Sequence, residues 1–135
     1  PILCIRPGTT RNGVEWRGHI IPRPIELMIA SQNHLYQIVR GATVSGGSWV
    51  SVNANTSGAQ YNSTATSYSG GEVVAVGYVP SPPAGTRTSP LQSMFSEVPI
   101  VYSSLANTQE TLVIAAQTIT GSGTALATIE WSEVF

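Results

Sequence analysis

The sequence predicts an all-β chain of the β-sandwich or jelly-roll kind, with about eight or nine strands. The blocks of Ala, Leu, Glu, Lys and Arg that build helices are missing, and no window holds a sustained 3.6-residue apolar period. In their place stand β-branched runs separated by clusters of Gly, Pro, Asn and Ser. These runs recur at a spacing of roughly 8–14 residues, as in packed antiparallel sheets.

The elements follow in order. Residues 2–6 form a first strand that ends at Pro7-Gly8. Residues 14–21 form a second, stopped by Pro22, and residues 25–29 a third, ending at Ser31-Gln32-Asn33. Residues 34–40 alternate cleanly, with Leu35, Gln37 and Val39 on one face and Tyr36, Ile38 and Arg40 on the other. A Gly46-Gly47 turn leads into 49–52. Residues 53–70, rich in Asn, Ser and Thr, read as a long loop with one short strand near Tyr61. Gly70-Gly71 opens the strongest strand, Glu72 to Val79, which Pro80-Ser81-Pro82-Pro83-Ala84-Gly85 stops. A helical turn is expected over 91–95. Strands at 98–102, 111–118 and 124–134 complete the set, and Gly121-Ser122-Gly123 reads as a hairpin loop joining the last two.

With 135 residues, no internal linker and no repeat of fixed period, residues 1–135 read as a single domain. The first residue is Pro rather than Met, which suggests a processed product or the C-terminal part of a longer chain. Charged residues make up only 10%; all six basic residues are Arg and all seven acids are Glu. Sixteen Ser and fourteen Thr supply most of the polar surface. A net charge of −1 offers no basic footprint for nucleic acid. No apolar run approaches the length of a membrane-spanning helix, so no membrane insertion is expected.

Catalytic and metal constellations are not apparent. His19 and His34 are the only histidines, fifteen residues apart on different predicted strands, whereas a zinc site needs several convergent ligands. With no Asp and no Gly-x-Ser-x-Gly elbow, a Ser-His-Asp triad is ruled out in its usual form. Cys4 sits in an apolar strand and reads as a buried, inert thiol. Glu130 and Glu133 are close in sequence but fall on opposite faces of a strand, unlike a glycosidase pair. The Gly-rich pieces precede strands and lack the Lys of a phosphate loop. The reading is therefore non-enzymatic, with no cofactor and no metal. Trp16, Trp49 and Trp131 are expected to fill the core. Tyr61, Asn62 and Tyr68, in the Asn/Ser/Thr-rich stretch, are the candidates for a ligand-facing loop.

The Glu72–Val79 strand is apolar on both faces apart from Glu72, with Val73, Ala75, Gly77 and Val79 on one side and Val74, Val76 and Tyr78 on the other. A two-layer sandwich covers only one face of each sheet. Val74, Val76 and Tyr78 are thus the candidate interface, and a homo-oligomer is expected. The final strand alternates likewise, with Leu126, Thr128 and Glu130 opposite Ala125, Ala127, Ile129 and Trp131.

One ordered pattern runs through the C-terminal three-quarters of the chain, about residues 34–135. It comprises Trp49-Val50-Ser51-Val52, Tyr61-Asn62-Ser63-Thr64-Ala65-Thr66, Ser69-Gly70-Gly71-Glu72-Val73-Val74 and Gly77-Tyr78-Val79. After the Pro/Gly/Ser spacer it closes with Thr111–Ala116 and Ala125–Glu133. This resembles the C-terminal β-sandwich domain of virion structural proteins of tailed bacteriophages. The resemblance implies a virion location, as a capsid-associated decoration or cement protein or a fibre protein. It implies self-association, as a trimer, and contact with other virion proteins such as the major capsid protein or a fibre or tail protein. An alternative is a receptor-binding tip that recognises a host surface glycan; a weaker one is a carbohydrate-binding module.

Overall fold

A computed structural model describes residues 1–29, 31–80, 87–88, 100–103 and 108–134. In chain order the strands are β1 (Leu3–Pro7), β2 (Thr10–Arg11), β3 (Val14–Glu15), β4 (His19–Ile29), β5 (His34–Arg40), β6 (Thr43–Ser45), β7 (Val50–Ser51), β8 (Ala59–Asn62), β9 (Ser67–Ser69), β10 (Glu72–Val79), β11 (Arg87–Thr88), β12 (Ile100–Ser103), β13 (Thr108–Gln109), β14 (Leu112–Thr118) and β15 (Ala125–Val134). The chain is all-β, with no helix among the described residues. Eight of these strands, β1, β4, β5, β8, β10, β12, β14 and β15, are four residues or longer; the others are two- or three-residue ladder pieces. The helical turn expected over 91–95 lies outside the described residues.

Two antiparallel sheets face each other. One has the order β10-β5-β14-β1-β8-β7; the other is built on β4, with β15 along one side and β11 and β12 along the other, and β13 beyond β12. Period-2 alternation makes this sandwich. Ile5, Tyr36, Ile38, Leu112 and Ile114 project from the first sheet onto Ile20, Ile25, Leu27 and Ile29 of β4, all buried in one cluster. Ala125, Ala127, Ile129 and Trp131 of β15 pack against the same cluster, on the alternation expected for that strand.

The back of the first sheet carries a second, smaller core. Cys4, Val39, Ala42, Val113 and Ala115 lie there under Val44, Trp49, Ala65 and Tyr68. The cover is the β6–β9 ribbon, which pairs Thr43 with Ser69 and Ser45 with Ser67, together with the chain between its strands. The long loop expected over 53–70 thus holds two strands, β8 and β9, and β8 enters the main sheet beside β1.

Three expectations are corrected. Pro22 does not end a strand: β4 runs through both Pro22 and Pro24. Arg23 and Pro24 together lie opposite Glu130 of β15, between the pairs Ile25–Ile129 and Pro22–Trp131. That bulge adds one residue to β4, so Ile20 before it and Ile25, Leu27 and Ile29 after it all face the core despite their opposite parity. On its other flank β4 pairs with β12 at His19 and Ile20 and with β11 at Leu27 and Met28, so both prolines fall between those ladders. The N-terminal part of the predicted 14–21 strand is instead β3, paired with β2.

Second, Gly121-Ser122-Gly123 is not a hairpin. β14 pairs with β5 and β1, and β15 with β4, so this turn carries the chain from one sheet to the other. It is tied down where Thr118 Oγ1 donates to the Gly121 carbonyl (2.8 Å) and the Ile119 N–H to the Asn33 carbonyl (3.0 Å).

Third, β10 carries its own bulge between Val73 and Ala75. Val74 is the extra residue; it is half-buried against the main core and leaves the outward row. Val73 takes its place there, opposite Val39, with Val76 opposite Gln37 and Tyr78 opposite Leu35.

Candidate functional site

The residues named from sequence do not form one site. Asn62 is 1% exposed and structural. Its Nδ2 donates to the Gly46 carbonyl (3.1 Å), while its Oδ1 accepts from the Thr64 N–H (3.0 Å) and the Thr64 hydroxyl (3.3 Å). The turn it holds has Gly46 and Gly47 at φ +78° and +66°, and a Cβ on Gly47 would lie 2.5 Å from the Thr64 backbone. Asn62 therefore leaves the ligand-facing set, because it is buried and both ends of its amide are engaged in this turn. Tyr68 packs over the second core and donates its hydroxyl to Gln37 Oε1 (2.9 Å). Tyr61, opposite Val50 on β8, keeps an exposed ring.

The titratable groups are also apart. His34 is buried, with Nδ1 3.1 Å from the Gln32 carbonyl, and His19 is exposed at the start of β4 in the other sheet. Cys4 is buried in the second core, and burial pushes its thiol pKa up to about 11. Among the described residues no group of three His, Cys, Asp or Glu side chains could hold a metal ion. Arg40 pairs with Glu110 (2.5 Å) and Arg17 with Glu15 (2.7 Å).

Glu133 has a different environment. It accepts from the Ser57 hydroxyl, the Gly58 N–H (3.0 Å) and Trp131 Nε1 (3.0 Å). Partial burial pushes its pKa up, but these three donors and the charge of Arg11 outweigh that and hold it below the usual carboxylate value. A carboxylate saturated in this way is a structural acceptor, which suits a latch better than a catalytic base.

The most distinctive polar recess lies behind the first sheet, at the open end of the second core. Arg6 projects from β1, and its guanidinium carbon stands 4.1 Å from the centroid of the Trp49 ring. Arg6 Nε donates to Gln60 Oε1 (2.9 Å) across the β1–β8 ladder. Ala42, Thr43, Val44, Gln109 and Thr111 complete the walls of a cavity of about 240 Å³. Burial lowers the pKa of the Arg6 guanidinium. Sequence reasoning passed over this pair because Trp49 was assigned to the core. Trp16 is the one tryptophan buried in the main core; Trp131 packs at its margin and Trp49 over the second core. The available signal was one Arg closing an otherwise apolar strand, Leu3 to Ile5.

Compared with protein-family models, with curated proteins and with solved structures, the chain matches none.

Proposed function

We propose that this chain is a non-enzymatic structural protein of a tailed-phage virion, a capsid-associated decoration or fibre protein that self-associates through β10. The virion setting rests on the sequence pattern over residues 34–135. The single observation that supports self-association is the outer row of β10: Val73, Val76 and Tyr78 are 50%, 58% and 73% exposed on one face of the strand. β10 ends its sheet, with β5 as its one partner among the described residues. Tyr78 also shares an open recess with Ile119, itself 52% exposed, so the apolar row continues around the sheet corner. An apolar edge of this kind invites pairing. Elsewhere proteins guard such edges with lysine; this chain has none. A net charge of −1 would oppose association only weakly. A trimer is the preferred order on the resemblance alone.

Two measurements test the reading. Light scattering is expected to give a whole-number multiple of 14.2 kDa, and Val76→Glu to give a folded protomer of that mass. Because Val76 is exposed, the variant should keep its circular dichroism spectrum. A wild-type protein that stays at 14.2 kDa at high concentration would refute self-association. Antibody labelling of purified tailed-phage particles is expected to decorate the head or the fibres; particles that carry none of the protein would refute the virion assignment.

A further inference from the structure

We propose that the recess between Arg6 and Trp49 binds a small carboxylate-bearing sugar of the uronic acid kind. Self-association through β10 does not enter this inference, which stands or falls separately. Three features of the recess lead to it.

The first is charge. Arg6 is the single charged residue lining the cavity, and among the described residues it has no carboxylate partner. Its one hydrogen bond to a described residue uses Nε, on Gln60 Oε1, which leaves Nη1 and Nη2 as donors. A half-buried guanidinium without a counter-charge is costly, and a planar carboxylate is the group its paired N–H donors fit best. One cation matches a monoanion better than a doubly charged phosphate. Glu110, between Gln109 and Thr111 in the chain, is already neutralised by Arg40 at 2.5 Å and does not line the cavity.

The second is preorganisation. Trp49 stacks on the guanidinium and Gln60 anchors its Nε, so little side-chain freedom is left to lose on binding. The third is the remainder of the wall. Gln109 Nε2 is committed to the Pro7 carbonyl (2.7 Å), which leaves its Oε1 to accept from a hydroxyl. The Thr111 hydroxyl donates to the Ala42 carbonyl (2.5 Å) and retains its lone pairs, and Thr43 adds an exposed hydroxyl. Acceptors for several hydroxyl groups beside one guanidinium suit a polyhydroxylated acid. A volume near 240 Å³ is below the roughly 300–1,000 Å³ of drug-sized sites, so one sugar ring is the expected occupant.

The test is titration of the folded protein with glucuronate, glucose and acetate, followed by tryptophan fluorescence and by calorimetry. Glucuronate is expected to bind saturably, and at least about tenfold more tightly than either glucose or acetate, since each lacks half of the recognised chemistry. Arg6→Gln removes the charge and is expected to weaken glucuronate by at least about tenfold without altering the response to glucose. If that variant fails to fold, Thr43→Val at the exposed rim serves instead, with a loss of a few-fold expected. Equal affinity for glucose and glucuronate, no saturable binding of glucuronate, or undiminished binding by whichever variant folds would overturn the proposal.

Discussion

The Ser57 hydroxyl donates to the carboxylate of Glu133, 76 positions further along the chain. That contact docks the 53–58 segment against the last strand. Within the segment, Asn53 Oδ1 accepts from the N–H groups of Asn55 (3.0 Å) and Thr56 (3.3 Å). Arg11 Nε donates to the Thr56 carbonyl (3.1 Å), so the β2–β3 ribbon is tied to the same segment. The carboxylate thus joins the last strand to the 53–58 segment, and Arg11 joins the ribbon to that segment.

Glu133→Gln is expected to destabilise the fold by about 1–3 kcal/mol, since one amide cannot replace a carboxylate accepting three hydrogen bonds. The pH dependence follows from the direction of the shift. A carboxyl group with a depressed folded pKa stabilises the native state above its unfolded pKa, and that stability is lost as pH falls through the folded value. Urea unfolding of the wild-type protein should therefore show a decline on acidification that is smaller in Glu133→Gln. Parallel acid profiles for the two proteins would refute the latch.

Gly58→Ala is expected to cost about 1–3 kcal/mol or more, because the new methyl has no space. A Cβ at position 58 would lie 2.2 Å from the Trp16 ring, and one at Gly18 would lie 2.4 Å from the same ring. Trp16 therefore packs directly on two glycines, neither of which can carry a side chain without displacing the indole. Denaturant titration with an unchanged slope and a lowered midpoint is the expected result. A wild-type midpoint would contradict the close approach.

Cys4 is expected to resist thiol reagents in the native state and to react fully in denaturant. Its thiol is buried, and a pKa of about 11 leaves little thiolate at neutral pH. Ellman's reagent gives the comparison directly, and rapid native labelling would show that the second core opens readily.

The outward row of β10 shows how far local pattern reaches. Strict alternation over Glu72–Val79 placed Val76 and Tyr78 outward, as they are, and the strand bounds agree with the sequence. Alternation also placed Val74 outward, and there it failed, because a bulge resets the parity of everything before it. Bulges depend on the partner strand, so nothing in residues 72–79 announces this one. Asn62 failed for a related reason. An amide in a Ser/Thr-rich stretch looks solvent-facing, until Gly46, sixteen positions earlier, presents its carbonyl to it. The Arg6 recess left one local sign, an Arg closing an apolar strand, because its walls come from β1, β6 and β13 and from the chain before β6, β7 and β14.

Sequence alone establishes that the chain is all-β, where β1, β5, β10, β14 and β15 lie, and that Cys4 is buried. Period-2 alternation, β-branched content and Gly/Pro punctuation are properties of a few consecutive residues, and they act before any long-range contact forms. Tertiary structure alone decided that β14 joins β5 and β1 while β15 joins β4, that β4 passes through two prolines, and that Arg6 meets Trp49. These outcomes depend on which apolar faces bury one another across the sandwich. A one-residue bulge turns every side chain beyond it to the other face, so that choice belongs to the packed sheets and not to any single strand.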